Sequence, residues 1–185
     1  IGEGAFYGCS RLKTVYNFSN LTFTEGSSGY GYVAYYADKV YNVPNGSIVG
    51  DFIFCKPNDV NTLLYYLGNA TELTLPTDCN GENYTIGADV FKNNTSLTSV
   101  EIPNSVTSIG ESAFRGCSAL KKVINLSSLK FSKGSTANGY VAYYADTVIN
   151  VPNGSVEGDF VFAVIDGVNT LCGYIGAGGD VTLPA

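Results

Sequence analysis

Histidine, methionine and tryptophan are missing from this chain of 185 residues. Without histidine, neither a Ser-His-Asp triad nor a Cys-His nucleophilic pair can be built within it. Basic residues are few. Ten Lys and Arg against sixteen Asp and Glu give a net charge of -6 and a pI near 4.5. Binding a phosphate backbone calls for clustered Lys and Arg, and the densest basic pair here is Lys121-Lys122. Nucleic acid is therefore not an expected partner, and an anionic membrane surface is disfavoured on the same ground. No apolar run approaches the roughly 20 residues of a membrane-crossing helix. Cysteine is odd in number and dispersed, at Cys9, Cys55, Cys79, Cys117 and Cys172, with no CxxC spacing. That argues against a zinc site and against a disulfide framework. Cys9 and Cys117 occupy equivalent places in "GCS" and read as small buried hydrophobes. A P-loop is absent too; "GAGGD" at Gly176 to Asp180 lacks the lysine and the following helix and reads as a turn. No D-x-D-x-D-G calcium loop occurs. Asp38/Asp146 and Asp51/Asp159 are duplicated together with their surroundings, and nothing in the sequence makes a carboxylate pair converge as glycoside hydrolysis would need. The expectation is a protein without enzymatic activity, cofactor or metal.

What is present is aromatic and repetitive. Fourteen Tyr, ten Phe and twenty-two Gly in a chain that is 45% hydrophobic and 14% charged describe an ordered protein of short strands and frequent turns. "GYVAYYAD" occurs at Gly31 to Asp38 and again at Gly139 to Asp146. Shifting the chain by 108 residues aligns Ile1–Thr77 with Ile109–Ala185 without a gap, and 45 of those 77 positions are identical, which makes this a true internal duplication. The expected organisation is one solenoid domain over 1–185, with a first copy at 1–108 and a partial second copy at 109–185. A finer step of 23 residues relates Ile86 to Ile109, Phe91 to Phe114, Leu97 to Leu120 and Val100 to Val123.

Short β-branched runs recur along the whole chain: "TVYNF", "KVYNVP", "ELTLP", "SVEIP", "KVINL", "TVINVP" and "DVTLP". They end at Phe18, Pro44, Pro76, Pro103, Leu126, Pro152 and Pro184, at spacings of 26, 32, 27, 23, 26 and 32, and the first four spacings total the 108-residue period. Each large repeat is thus four coils of a smaller one. Alternation within the runs predicts one short strand per coil, one face buried and one solvated, ended by proline. Successive strands would pair in parallel along the axis. "IGESAFRGCSAL" predicts a helical or 3₁₀ turn at Ser112 to Arg115, with Phe6, Phe91 and Phe114 as core plugs. Paired alternating runs around "KPND" and "DG" predict β-hairpins at Asp51 to Leu67 and Asp159 to Ile175. "GYVAYYAD" reads as an extended crossover packing tyrosines against the coil, or as a stacking platform for sugar rings.

Aligning the runs by their last residue predicts two outward rows on the sheet. The first holds Tyr16, Asn42, Thr74, Glu101, Ile124, Asn150 and Thr182; the second includes Val40, Lys122 and Val148. A solenoid offers such a face as an extended binding surface, although Thr and Val also simply favour strands.

"SLTSVEIPNSVTSIGESAFRGCSALKKV" resembles the BspA-like, or Treponema pallidum-type, leucine-rich repeat family, whose pattern is L-x-x-V-x-I-P…V-x-x-I-G-x-x-A-F-x-x-C-x-x-L. The resemblance is close over residues 84–124 and again over 1–15. It implies a β-rich leucine-rich-repeat solenoid: a parallel sheet with short turns and, here, inserted hairpins. It further implies large cell-surface or secreted repeat proteins of bacteria and of some parasitic protists that adhere to host proteins, other cells or matrix, with a protein ligand as partner; the expected state is monomeric. A glycan-binding module using exposed tyrosines and a structural spacer stand as alternatives. The chain opens in mid-motif with "IGEGAF", without Met or a signal peptide, and so reads as an excised piece or a processed product.

Overall fold

The structure is a computed structural model that describes residues 1–183. It opens with β1 (Thr14–Asn17) and β2 (Lys39–Asn42), followed by β3 (Ser47–Val49), β4 (Phe52–Cys55) and β5 (Thr62–Tyr66). Then come β6 (Glu72–Thr74), β7 (Tyr84–Ile86), β8 (Ser99–Ile102), β9 (Val106–Ile109), β10 (Lys122–Asn125) and β11 (Thr147–Asn150). The described elements end with β12 (Ser155–Glu157), β13 (Phe160–Ile165) and β14 (Val168–Tyr174).

The β-branched runs form the expected strands, and within a block they lie side by side in chain order. β6, β8, β10 and β11 make one parallel sheet, with Leu73, Val100, Val123 and Val148 in register on its inner side. A second parallel ladder, β5-β7-β9, closes the opposite side of the coils. The turns on the third side also link from coil to coil. Phe91 N donates to Ala113 O at 2.8 Å, and Phe114 N to Gly139 O at 2.7 Å. Inside, Phe91 and Phe114 stack with ring centres 4.7 Å apart, both buried together with Leu97, Leu120, Ile102 and Cys117. The segment expected to hold one helical or 3₁₀ turn at Ser112–Arg115 is a chain of tight turns closed by i to i+3 bonds, with Arg115 N donating to Ser112 O and Cys117 N to Phe114 O. All five cysteines are free thiols; Cys117 is buried and burial pushes its thiol up to about 11, while Cys9 at the chain's opening coil is exposed.

The continuous sheet expected along the whole axis is interrupted. β1 pairs with β2, but β2 pairs with no strand of the next coil, and β6 starts a new ladder. The cause is the inserted segment. It is larger than a hairpin, an antiparallel meander β3-β4-β5 with a copy at β12-β13-β14. In each meander the register shifts by one residue, at Ile53/Phe54 and at Val161/Phe162. The bulges leave Leu64 and Cys172 without a partner, so Leu63 shares a face with Tyr66 rather than with Tyr65, and Leu171 with Tyr174. One face of the first meander, Phe52, Phe54, Leu63 and Tyr66, packs into the core of the β6–β11 block. An aromatic file then runs Phe52–Tyr66–Phe91–Phe114, with centres 5.2, 5.6 and 4.7 Å apart. From its other face Tyr65 meets Tyr41 of β2 at 4.9 Å. The meander is therefore a joint: it lies on the sheet of the block before it and seals the core of the block after it. The cores are correspondingly separate, a small one around Val15, Phe23, Val33 and Ala34 and a large one from Phe52 to Ala145.

"GYVAYYAD" is not extended. Each copy begins in a short helical turn, Gly29–Tyr32 in the first and Asn138–Tyr140 in the second, broken by positive φ at Tyr30, Gly31 and Tyr32 and at Asn138, Gly139 and Tyr140. The side chains that enter the core are Val33, Ala34 and Ala37, and Val141, Ala142 and Ala145. The tyrosines lie on the outside and pack on one another edge to face, as Tyr32–Tyr35–Tyr36 at 5.3 and 4.9 Å.

The strand ends carry a polar device. Asn125 is fully buried; its amide donates to Leu129 O at 2.6 Å and to Asn150 Oδ1 at 2.8 Å, and its own Oδ1 accepts from Ser127 N at 3.1 Å and Ser127 Oγ at 2.6 Å. Asn17 makes the same bonds to Leu21, Asn42 and Ser19. The amide satisfies the backbone where the chain leaves the sheet. Asn125→Ala is expected to cost about 1–3 kcal/mol by stranding buried donors and acceptors, read as a lower midpoint in urea unfolding.

Candidate functional site

Chain register fixes which side chains face outward. Tyr16 pairs with Tyr41, and Ile124 with both Ile149 and Glu101, which in turn pairs with Thr74. The outer row is therefore Tyr16 and Tyr41 in the first block, and Thr74, Glu101, Ile124 and Ile149 in the second. Alignment on the terminal proline misplaces the "YNVP" and "INVP" strands by one residue, because these two carry an extra residue before proline. A one-residue slip moves every side chain to the other face. Asn42 and Asn150 accordingly share the inward-facing row of Asn17 and Asn125, although on edge strands both remain exposed. Val40 packs against the small core and Val148 against the large one. Their true outward neighbours are Lys39 and Thr147, in register with Thr14 and Lys122. Thr182 is exposed but belongs to no strand, and Pro184, taken as the end of the seventh run, lies outside the described residues.

Ile124 faces outward and is nonetheless only 4% exposed. The second meander folds back over the outer face of β10 and β11, packing Val161, Val156, Ala163 and Ile175 on Ile124, Leu126, Ile149 and Val151. Lys122 Nζ fastens it by donating to Ile175 O at 2.6 Å. No periodicity in the strands announces this fold-back; the one sequence signal is the apolar outward pair Ile124 and Ile149 where the neighbouring strands carry Thr74 and Glu101.

Between the meander's edge and the uncovered part of the sheet lies a cleft of about 340 Å³. Thr74, Glu101, Lys122 and Ile124, all expected on the outer rows, line it together with Glu72 and Ser99. Gly158, Asp159 and Ile175 of the meander form its other wall, and strand alternation alone does not point to them. Three carboxylates thus share one cleft with a single ammonium that already donates to a backbone carbonyl. Glu101 makes no ion pair or side-chain hydrogen bond among the described residues, and burial raises its carboxyl above the ordinary carboxylate range. Because the folded state holds this proton more tightly than the unfolded chain, Glu101 subtracts stability as pH rises from the ordinary carboxylate value through the raised one. Glu101→Gln is expected to narrow the loss of stability between pH 4 and pH 7, checked by urea unfolding of both proteins at the two pH values. An equal or larger loss in the variant would contradict the assignment.

Among the described residues no group of three or more Cys, Asp or Glu side chains is arranged to hold a metal, and no helix is long and apolar enough to cross a membrane. Tyr16 and Tyr41 stack at 5.4 Å, and with Tyr65 they form an aromatic file on the outer face of the first block.

No curated protein matches the chain. Among solved structures it is similar to a leucine rich cell surface protein from Faecalibacterium prausnitzii A2-165, at 26% identity and a TM-score of 0.43, over 59% of this chain and 34% of that one. It is also similar to a leucine-rich repeat protein from Bacteroides capillosus ATCC 29799, at 26% identity and a TM-score of 0.40, over 56% of this chain and 96% of that one. The chain therefore spans about a third of the length of the first of these proteins. Residues 60–141 match the family described as BspA type Leucine rich repeat region, in six copies. Over those six copies, a little under half of its length, the chain is similar to the BspA-type leucine-rich repeat family.

Proposed function

We propose that residues 1–185 work as one non-enzymatic recognition unit of a cell-surface or secreted repeat protein, which binds a protein ligand in adhesion to a host or another cell. The contact surface is the uncovered outer face of β6 and β8 together with the cleft beneath the second meander. One observation carries this reading: Glu101 is a half-buried carboxylate without a partner, flanked by Glu72 and Asp159 in the same cleft. A Lys or Arg side chain of a protein ligand supplies the missing charge, and the cleft's partial burial makes that pair less screened than one on open surface. The family resemblance over residues 60–141 supports the location.

The test is a binding panel of matrix and cell-surface proteins with the 185-residue chain, its Glu101→Lys variant and a Glu3→Lys control at an exposed site of the opening coil. Binding that falls at least tenfold with Glu101→Lys and is unmoved by the control supports the reading. Equal binding by all three sinks it, and silence from the whole panel leaves a structural spacer as the better account. A second reading rests on the Tyr16–Tyr41–Tyr65 file, whose outer members are 41% and 40% exposed and present ring faces of the kind that stack on sugars. Glycan-array binding abolished by Tyr16→Ala would favour it.

A further inference from the structure

Internal duplication lets the surface of one copy be read against the other. Nine tyrosines fall in residues 1–77 and four in the matching 109–185. Tyr16, Tyr41 and Tyr65 stand opposite Ile124, Ile149 and Gly173. Of the four that recur, Tyr66 is held by the fold: it packs on the large core, and its hydroxyl accepts from Ala70 N at 2.9 Å. The other three are Tyr32, Tyr35 and Tyr36, repeated as Tyr140, Tyr143 and Tyr144. Their rings meet edge to face in the same way in both copies, with centres 5.3 and 4.9 Å apart in the first and 5.6 and 4.9 Å in the second. The arrangement is kept although Tyr7, which meets Tyr32 at 5.2 Å, is Arg115 in the second copy. The central rings, Tyr35 and Tyr143, are 44% and 42% exposed. Chain ends do not cause this exposure. The preceding coil is bonded on in both copies, from Phe6 N to Gly31 O and from Phe114 N to Gly139 O, each at 2.7 Å, and a meander follows each octapeptide. Among the described residues none of the six phenol hydroxyls makes a hydrogen bond, whereas those of Tyr66 and Tyr84 do.

We infer that each tyrosine trio is a stacking site for a sugar ring of a neutral glycan, so that the chain carries two equivalent sites one 108-residue repeat apart. An exposed phenol offers an apolar body to the C–H face of a sugar and a free hydroxyl to its rim. Asp38 and Asp146 end the two octapeptides as exposed carboxylates and, with the net charge of -6, set the surface against acidic glycans. A proline-rich peptide docks in a groove lined by aromatic rings; here the neighbouring rings touch and leave no slot between them. Two like sites on one solenoid suit a polymer whose own units repeat. The trios lie on the turns, apart from the Glu101 cleft and from the Tyr16–Tyr41–Tyr65 file, and the inference rests on neither.

The test titrates the 185-residue chain with neutral gluco-, manno- and galacto-oligosaccharides and with the soluble polysaccharides built from them, while NMR follows the Tyr35 and Tyr143 ring signals. The expected result is one class of oligosaccharide bound at two sites per chain, with both ring signals shifted. Tyr35→Ala and Tyr143→Ala should each remove one site and weaken binding of the polysaccharide by about tenfold or more, through lost avidity. The double variant should bind neither. Tyr35→Phe combined with Tyr143→Phe keeps both rings and removes only the hydroxyls. It should bind about threefold or more weakly, the scale of a lost hydrogen bond, at an unchanged melting temperature, which separates recognition from folding. Glu101→Lys, Tyr16→Ala and Tyr30→Ala should bind as the parent chain does. Silence from every neutral glycan overturns the inference, as does binding that survives the double alanine variant. Loss of binding with Tyr16→Ala also overturns it, because the glycan would then lie on the sheet face. So do ring shifts produced by a proline-rich peptide and by none of the sugars.

Discussion

Leu63→Ala is expected to cost about 2–5 kcal/mol, the range for emptying a fully buried leucine site, while Leu171→Ala should stay within about 0.5 kcal/mol. The two residues occupy the same place in the two copies. Leu63 is sealed between the first meander and the next core; Leu171 is exposed on the second. The two sites share their pairing register and bulge position, so the comparison varies chiefly the cover. Urea unfolding of both variants measures it, and similar costs would mean that the first meander does not seal the large core.

Gly139→Ala should be nearly as damaging, at about 3 kcal/mol or more. Gly139 has a φ of +63°, where an L side chain costs roughly 1–2 kcal/mol. A Cβ there would also lie 2.5 Å from Gly110 O, with Ala113 Cβ at 3.0 Å. Relief requires the coils to part, which weakens the bond from Phe114 N to Gly139 O and loosens the packing of Phe114. Gly134 is the control: its φ is +72° but nothing stands within 4 Å of where a methyl group would sit, so Gly134→Ala should show the conformational cost alone. Equal melting temperatures for the two variants would contradict the close approach of the coils.

This geometry also accounts for the octapeptide that recurs unchanged. Its glycine permits the close approach of neighbouring coils, its Val and two Ala fill the core, and its tyrosines shield the turn from outside. Repetition exposed the segment, but not its shape, because the left-handed residues include Tyr30, Tyr32 and Tyr140, for which composition gives no warning. The strands were legible because alternation and terminal proline both report on the same ladder. Their register was less so: proline marks where pairing stops, and in "YNVP" and "INVP" it follows one residue later, so Asn42, Asn150, Val40 and Val148 turn inward. The core plugs Phe91 and Phe114 followed from the 23-residue step. Phe6, from the same motif, is only partly buried, because its coil has no neighbour on that side among the described residues.

The cleft was half legible. Thr74, Glu101, Ile124 and Lys122 come from the outer rows, and alternation finds them. Asp159 and Ile175 arrive by the fold-back of a meander, a long-range packing choice driven by apolar residues on both of its faces. Period-two patterns do not distinguish a strand buried on both faces from one that projects into solvent with an apolar side.

The meander acts as a joint, resting on one block and sealing the next, and interstrand NOEs in the 185-residue chain test this most directly. Backbone contacts of Leu63 with Ile86 and ring contacts of Tyr65 with Tyr41 are predicted, with none between the backbones of β2 and β6. Cross-strand contacts joining Tyr41 to Leu73, in an unbroken sheet, would contradict it.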